Sequence, residues 1–518
     1  MIPYFNTSGP CVPGQHHMLP PERRLVRAME LVEQGRFFTL RAGRQTGKTT
    51  SVQWLVEHYN CGDQYAAVWV DLQPAREQPD IDRAMREILL QLDRSLSRDL
   101  PDVERPEQAQ QDAWLRSPSS AVLEHLRCAS DSAAQPLVML FDEADGLVGE
   151  TMVSFLTQLR TGYIDRQKVP FPHSVALVGM REVRDYVIAA EERRAVSWLG
   201  TTSPFNITAE AQTLAPFAAE EVAELLAQHT AATGQRFEAE AALLIHELSQ
   251  GHPWLVNALA DQVVRDVRDH SVALTAAHVD AARETIILER RTHIDSLVAK
   301  LREERVRRIV GPMLLGERTG PDVLNDDFSY LMGLGLIALR AGRYEVANPI
   351  YREVILRTLT FDQQAQLTQE PAWYIGADGR LDMGRLLRGF QTFWRKDGHL
   401  AAEGFHYREA GPHLMLMAFL QRIVNSGGRV EREYGLGRGR LDLIIEWRGA
   451  RHVVEVKLRR DTETEEEALE QLATYLDGLG LSEGYLVLFD LRKGSSWEER
   501  IFEREVEVAG KRVWVLGC

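Results

Sequence analysis

From Ala42 the chain reads Ala-Gly-Arg-Gln-Thr-Gly-Lys-Thr-Thr, a glycine-bearing turn closed by a lysine and two hydroxyls. Residues of these types at this spacing suit a phosphate. The backbone N–H groups of Ala42, Gly43, Arg44, Gln45, Thr46 and Gly47 can converge on the anion, and a helix opening at Lys48, Thr49 and Thr50 adds its positive end. The Lys48 ammonium reaches the outer phosphate oxygens, and the Thr49 hydroxyl is a magnesium ligand. Ala42 stands where such loops more often carry glycine, which leaves the roles of Gly47, Lys48 and Thr49 intact. A second run, Leu137-Val138-Met139-Leu140-Phe141, is apolar throughout and ends in Asp142 and Glu143, as expected of a buried parallel strand whose carboxyl end meets a nucleotide. Asp142 is then placed for the magnesium shell and Glu143 for the attacking water. A third run, 174–181, ends in Arg181, where a γ-phosphate sensor would stand.

A separate set of chemical groups lies near the other end of the chain. Asp442 opens the run Asp-Leu-Ile-Ile-Glu-Trp, a turn follows at 448–450, and Glu455 and Lys457 come two apart in Val-Glu-Val-Lys-Leu. Alternation along a strand puts Glu455 and Lys457 on one face, with Asp442 on the neighbouring strand. Two carboxylates so placed bind magnesium or manganese. An ammonium beside them can lower the pKa of a bound water or steady charge building on a phosphorus centre. Arg438, Arg440, Arg459 and Arg460 flank this set and could hold phosphates.

The elements that must position both sets can be read in outline. At 518 residues, and with domains of about 150 residues as a guide, the chain holds three or four units. Hydrophobic residues at 44% and charged residues at 26% are ordinary for a globular protein. A net charge of -15 means that nucleic acid would have to be met by a local basic groove. Cys11, Cys61, Cys128 and Cys518 are scattered, which favours free thiols and a cytoplasmic setting over a disulfide frame or zinc site. No run approaches the roughly 18 apolar residues of a membrane span. Residues 4–20 form an irregular arm whose His16, His17 and Met18 are candidates for contact with a base. Strands are expected at 36–41, 65–72 and 136–142, helices at 81–96, 238–248 and 255–267, and a surface loop at 101–111.

The loop, the acid strand and the later Gly251-His252-Pro253 together resemble the AAA-like ATPases of the signal-transducing (STAND) group. That resemblance implies ATP as cofactor, a helical lid with Pro253 against the nucleotide, and a homo-oligomer that forms with nucleotide. The letters Asp-Glu-Ala-Asp also invite a helicase, but Gln45 replaces a second glycine and no Ser-Ala-Thr segment follows. Asp442, Glu455 and Lys457 resemble the PD-(D/E)xK nuclease superfamily. That resemblance adds Gln471, followed four residues later by Tyr475, and an early metal-binding acid at Glu409 or Glu433, and it implies DNA as substrate with RNA left open. The expected architecture is α/β multi-domain: a P-loop parallel αβα sandwich at 1–214, a helical lid at 215–296, a winged-helix domain at 297–362, a connector at 363–403, and a restriction-endonuclease-like α/β domain at 404–518. The whole resembles bacterial ATPase–nuclease fusions, for which phage or mobile-element defence is one setting. The competing expectation is a nucleotide-dependent switch or scaffold whose last domain only binds nucleic acid or a partner.

Overall fold

A computed structural model describes residues 2–179, 208–289, 292–314, 326–340, 342–366, 373–376, 378–395, 412, 415–417, 419–420, 429–434, 441–459, 463–490 and 496–518. The chain divides into two compact units. One comprises Met1–His293 with Val323–Ile337 and Ala347–Ile350, and the other Ile294–Asp322, Ala338–Val346 and Tyr351–Cys518.

In the first unit, β1 (Phe37–Arg41), β2 (Ala66–Asp71), β3 (Leu137–Asp142), β4 (Ser174–Gly179) and β5 (Thr208–Thr213) form one sheet in the order β2-β3-β4-β1-β5. Every pairing is parallel. A parallel sheet must be covered on both faces, and alternation supplies two sets of apolar side chains. Phe38, Leu40, Val138, Leu140, Ala176 and Val178 share one core with α1 (Glu22–Glu33) and α2 (Lys48–Asn60). Phe37, Met139, Phe141, Val175 and Leu177 share the other with α3 (Ile81–Asp99), α5 (Pro118–Ser132) and α6 (Gly149–Asp165). Part of the expected loop at 101–111 is helical, because α4 (Gln108–Trp114) begins there with a capping box at Glu107 and Gln110. Strand β5 was not expected. Its Thr-Ala-Glu-Ala-Gln-Thr sequence has the polar composition of an edge, where one side of the strand faces away from the sheet.

Helices α3, α4 and α5 are tied together by one half-buried carboxylate. Asp93 accepts from His125 Nε2 at 2.8 Å and from Gln111 Nε2 at 2.7 Å. Burial raises the Asp93 pKa, but these hydrogen bonds outweigh it and hold the group below the ordinary carboxylate value. The pair therefore contributes stability above the unfolded-state pKa and loses it as pH falls through the lower folded value. Asp93→Asn is expected to cost about 1–3 kcal/mol at neutral pH, because it leaves a buried donor without its ionised partner. Faster hydrogen exchange in α5 at pH 7, converging on the unmodified chain at low pH, is the measurement that checks it.

Beyond the sheet, α7 (Ala219–Thr233), α8 (Ala239–Ser249), α9 (Pro253–Asp266) and α10 (Ala276–Leu288) pack on one another. Then come α11 (Thr292–Lys300), α12 (Glu304–Leu314), α13 (Asp326–Gly333), the hairpin β6 (Ile337–Arg340) and β7 (Arg343–Val346), and α14 (Pro349–Gln366).

The second unit holds a six-stranded sheet. Its strands are β8 (Arg429–Tyr434), β9 (Leu441–Trp447), β10 (Ala450–Arg459), β11 (Glu483–Asp490), β12 (Glu503–Val508) and β13 (Lys511–Gly517), in the order β12-β13-β11-β10-β9-β8. Strands β8, β9 and β10 are antiparallel neighbours, whereas β10 and β11 are parallel. A parallel pair needs a crossover, which α16 (Glu463–Gly478) makes by burying Ala468, Leu472 and Leu476 on the sheet. Strands β12 and β13 form an antiparallel hairpin that extends the sheet beyond β11. Helix α15 (Met383–Phe393), expected within a connector, packs on this sheet: Phe390 meets Phe489 edge-on at 5.9 Å, and Gln391 Nε2 donates to Gly517 O at 2.8 Å.

Candidate functional site: a phosphate loop, its acids and a histidine contact

Strand β1 delivers the chain into the 42–47 turn, where Gln45 and Gly47 take positive φ values of 58° and 88°. Left-handed backbone is costly for most residues and easy for glycine, so Gly47 is required by the geometry as well as by the motif. The Thr46 hydroxyl donates to Gly43 O at 2.7 Å and braces the loop. Lys48 Nζ lies inside it, donating to Ala42 O at 3.0 Å and Gly43 O at 2.9 Å. Burial pushes the Lys48 pKa down, against the opposing pull of Glu143, Asp142 and Asp145.

Strand β3 ends beside this loop. The Thr49 hydroxyl donates to Asp142 Oδ2 at 3.1 Å, and the Glu143 N–H donates to Asp142 Oδ1 at 2.9 Å. Glu143 itself is left-handed, with φ 53°. Burial, followed by the neighbouring Asp145 and Asp142, pushes the Glu143 pKa up, and burial pushes Asp142 up as well. Arg76, which sequence reasoning passed over, approaches Glu143 Oε2 at 3.8 Å.

Among the described residues no group of three His, Cys, Asp or Glu side chains is arranged to hold a metal. A nucleotide-bound magnesium does not need one, since it takes one or two protein oxygens and fills its octahedron with phosphates and water. The adjacent Thr49 and Asp142 oxygens fit that requirement.

The N-terminal arm and the α7–α10 helices both contact this loop or its flank. Thr50 Oγ1 accepts the Cys11 N–H at 3.0 Å, so this hydroxyl serves the arm. Met18 exchanges two hydrogen bonds with the Gln228 amide on α7, at 3.0 and 2.9 Å. His16 and His17 are buried; His17 packs on Phe5 and on His229, with ring centroids 4.7 and 5.8 Å away. Pro253 is buried at the first position of α9, and its neighbour His252 makes a hydrogen bond to the loop: Nε2 lies 3.1 Å from Arg44 O. The only sequence signal for His252 was its position inside Gly-x-Pro. Arg181 lies outside the described residues.

Gly251, just before α9, is where this geometry is most vulnerable. It has φ 71°, and a Cβ added there would come within 1.9 Å of Phe217 O. Gly251→Ala is expected to cost at least ~2 kcal/mol through backbone strain and clash, read as accelerated proteolysis and hydrogen exchange in α9.

In the second unit, Lys457 Nζ sits 2.7 Å from Glu455 Oε1, with Glu455 buried on β10. The β9–β10 register pairs Leu443 with Val454, so one step further the strand positions of Asp442 and Glu455 fall opposite each other. Gln471 is exposed on α16 and Tyr475 half-buried. At the start of that helix Glu465 is buried and ion-paired with Arg504. Glu409, Arg438, Arg440 and Arg460 lie outside the described residues.

A family model for an AAA-like domain matches residues 20–356, which takes in the phosphate loop, the acid strand and helices α7–α10. The chain belongs to the AAA-like domain family. A second model, described as a domain of unknown function (DUF8371), matches residues 386–493 and so spans the Glu455–Lys457 strand. No curated protein matches the sequence. Among solved structures, the Walker-type ATPase PABY2304 of Pyrococcus abyssi is 14% identical at a TM-score of 0.48, covering 68% of this chain and 99% of that one. The RuvB Holliday junction branch migration motor of Thermotoga maritima is 14% identical at a TM-score of 0.33, covering 64% of this chain and 93% of its own. Likenesses this distant carry no information about activity. Family membership places residues 20–356 among AAA-like P-loop ATPase domains. No helix among the described residues is long and apolar enough to cross a membrane.

Proposed function

We propose that the chain binds and hydrolyses ATP at the 42–50 loop and that this cycle controls a magnesium-dependent DNA nuclease in its C-terminal domain. The observation that carries the ATPase reading is the Thr49 hydroxyl against Asp142 at 3.1 Å, with Lys48 held in the loop beside them. Lys48 offsets phosphate charge, and the loop N–H groups orient the β- and γ-phosphates. Thr49 and Asp142 would hold Mg²⁺, which when bound supplies charge neutralisation at the phosphates. Glu143, its basicity raised by burial and by two acids, accepts a proton from the attacking water. The helices and hairpin at 297–362 are read as winged-helix-like, and the α7–α10 lid as that of a STAND-type switch. Nucleotide-dependent homo-oligomerisation is tested by mass measurement with and without ATP.

The nuclease reading rests on the buried Glu455 beside Lys457 and on Asp442 one step beyond the last paired register. In it, Asp442 and Glu455 hold Mg²⁺ or Mn²⁺, Lys457 serves the water or the developing charge, and Gln471 supports the site. Incubating the purified chain with linear, circular and single-stranded DNA, and with RNA, in Mg²⁺ or Mn²⁺ with ATP, ADP or neither tests it. Cutting of DNA that depends on nucleotide is the expected result. ATP turnover without cutting of any substrate would overturn the nuclease and leave the switch or scaffold.

A further inference from the structure

We propose that His252 is a positioning residue for nucleotide phosphate: by donating Nε2–H to Arg44 O, it sets the Arg44–Gln45 peptide so that the Gln45 N–H is presented to the phosphate site. The inference rests on the reading of the 42–50 loop as an ATP site and adds a lid residue to it.

A carbonyl oxygen can only accept, so the 3.1 Å contact requires the proton on Nε2. Burial pushes the His252 pKa down to about 4, which leaves the ring neutral at physiological pH, with a single proton for this bond. A trans peptide is planar, with C=O and N–H on opposite edges. Fixing the direction of Arg44 O therefore fixes that of the Gln45 N–H. Gln45 needs such fixing, because it sits at φ 58° in the middle of the loop, a conformation a non-glycine residue holds only when its surroundings impose it.

The lid is built to hold the imidazole still. On one side Gly251 is seated against Phe217, whose N–H donates to Gly251 O at 2.8 Å. On the other, Pro253 fixes the first turn of α9, with His252 at the N-cap in extended backbone at φ -62° and ψ 116°. The His293 ring lies 5.1 Å from that of His252 and 4.8 Å from that of Trp254, whose Nε1 is in turn anchored on Thr7 O at 2.8 Å. Packing, backbone and aromatic contacts thus leave Nε2 aimed at the loop, so a lid that moves away releases the peptide and weakens phosphate binding.

The test uses the full-length chain, titrated calorimetrically with ATP and ADP, with steady-state ATPase kinetics alongside. His252→Gln keeps a donor the same number of bonds from the backbone as Nε2, whereas His252→Asn puts it where Nδ1 was. His252→Asn is expected to weaken ATP and ADP about tenfold and raise KM in proportion, with kcat within about twofold; His252→Gln should recover affinity to within about threefold. Equal weakening in both variants overturns the proposal, since it makes the packed ring rather than its donor the important feature. ATP binding by the unmodified chain with unchanged affinity in His252→Asn overturns this inference alone. Absence of ATP binding by the unmodified chain overturns both it and the ATPase reading.

Discussion

Lys48→Ala is expected to abolish nucleotide binding, whereas Glu143→Gln should bind ATP as the unmodified chain does and hydrolyse it about 100-fold more slowly or worse. The difference follows from where each side chain stands. Lys48 Nζ is inside the phosphate loop at 3.0 Å from Ala42 O, so its removal deletes the only cation whose ammonium is seated on the loop carbonyls among the described residues. Glu143 lies past the end of β3, where its carboxylate approaches Arg76, so on the proposed mechanism its amide analogue keeps the shape and loses the base; general-base catalysis is worth about 10²–10⁴ in rate. Calorimetry with ATP and a phosphate-release assay on the same preparations separate the two effects. Equal turnover by Glu143→Gln and the unmodified chain would reassign the base, with Asp145 the next carboxylate to try.

The second large effect is expected at Glu455 and Lys457, where the structure changes which substitution is informative. Removing Lys457 looks harmless on an alternating strand, but Glu455 is buried and its carboxylate is 2.7 Å from that ammonium. Lys457→Ala would leave a buried charge without this partner, which costs about 3–5 kcal/mol when a buried pair is broken. Loss of cleavage in that variant alone would confuse chemistry with folding. Glu455→Gln lessens the problem, since the amide can still accept from Lys457, the less buried partner, and fills the same volume. DNA cleavage is expected to disappear in Glu455→Gln while ATP turnover and DNA binding persist. Full cleavage by this variant would sink the metal assignment. Control by the ATPase adds a direction: Lys48→Ala should alter cleavage, and Glu455→Gln should leave ATP hydrolysis unchanged. Cleavage indifferent to Lys48→Ala would describe a nuclease merely tethered to an ATPase.

What the sequence determined by itself is the local placement of contiguous residues. The 42–50 loop and the apolar run ending in Asp142 are each local, and the backbone around them has little freedom once a strand must precede and a helix must follow. The same holds for the alternation that puts Glu455 and Lys457 on one strand face. Tertiary structure decided the contacts that depend on packing between distant segments. His252 and Arg44 are 208 residues apart, and nothing in either neighbourhood announces their hydrogen bond. Thr50, legible as a phosphate-loop hydroxyl, is used by the arm because Cys11 is brought to it. Strand β5 carries no apolar signature, since an edge position does not demand one, and it is defined only by its pairing with β1. Helix α15 is amphipathic in sequence, which says that one face is buried but not against what; only the sheet at Phe489 and Gly517 answers that. Side-chain periodicity specifies which face of an element avoids water, whereas its partner is chosen by the free energy of the whole packed unit, and that choice brings the start of α9 onto the phosphate loop.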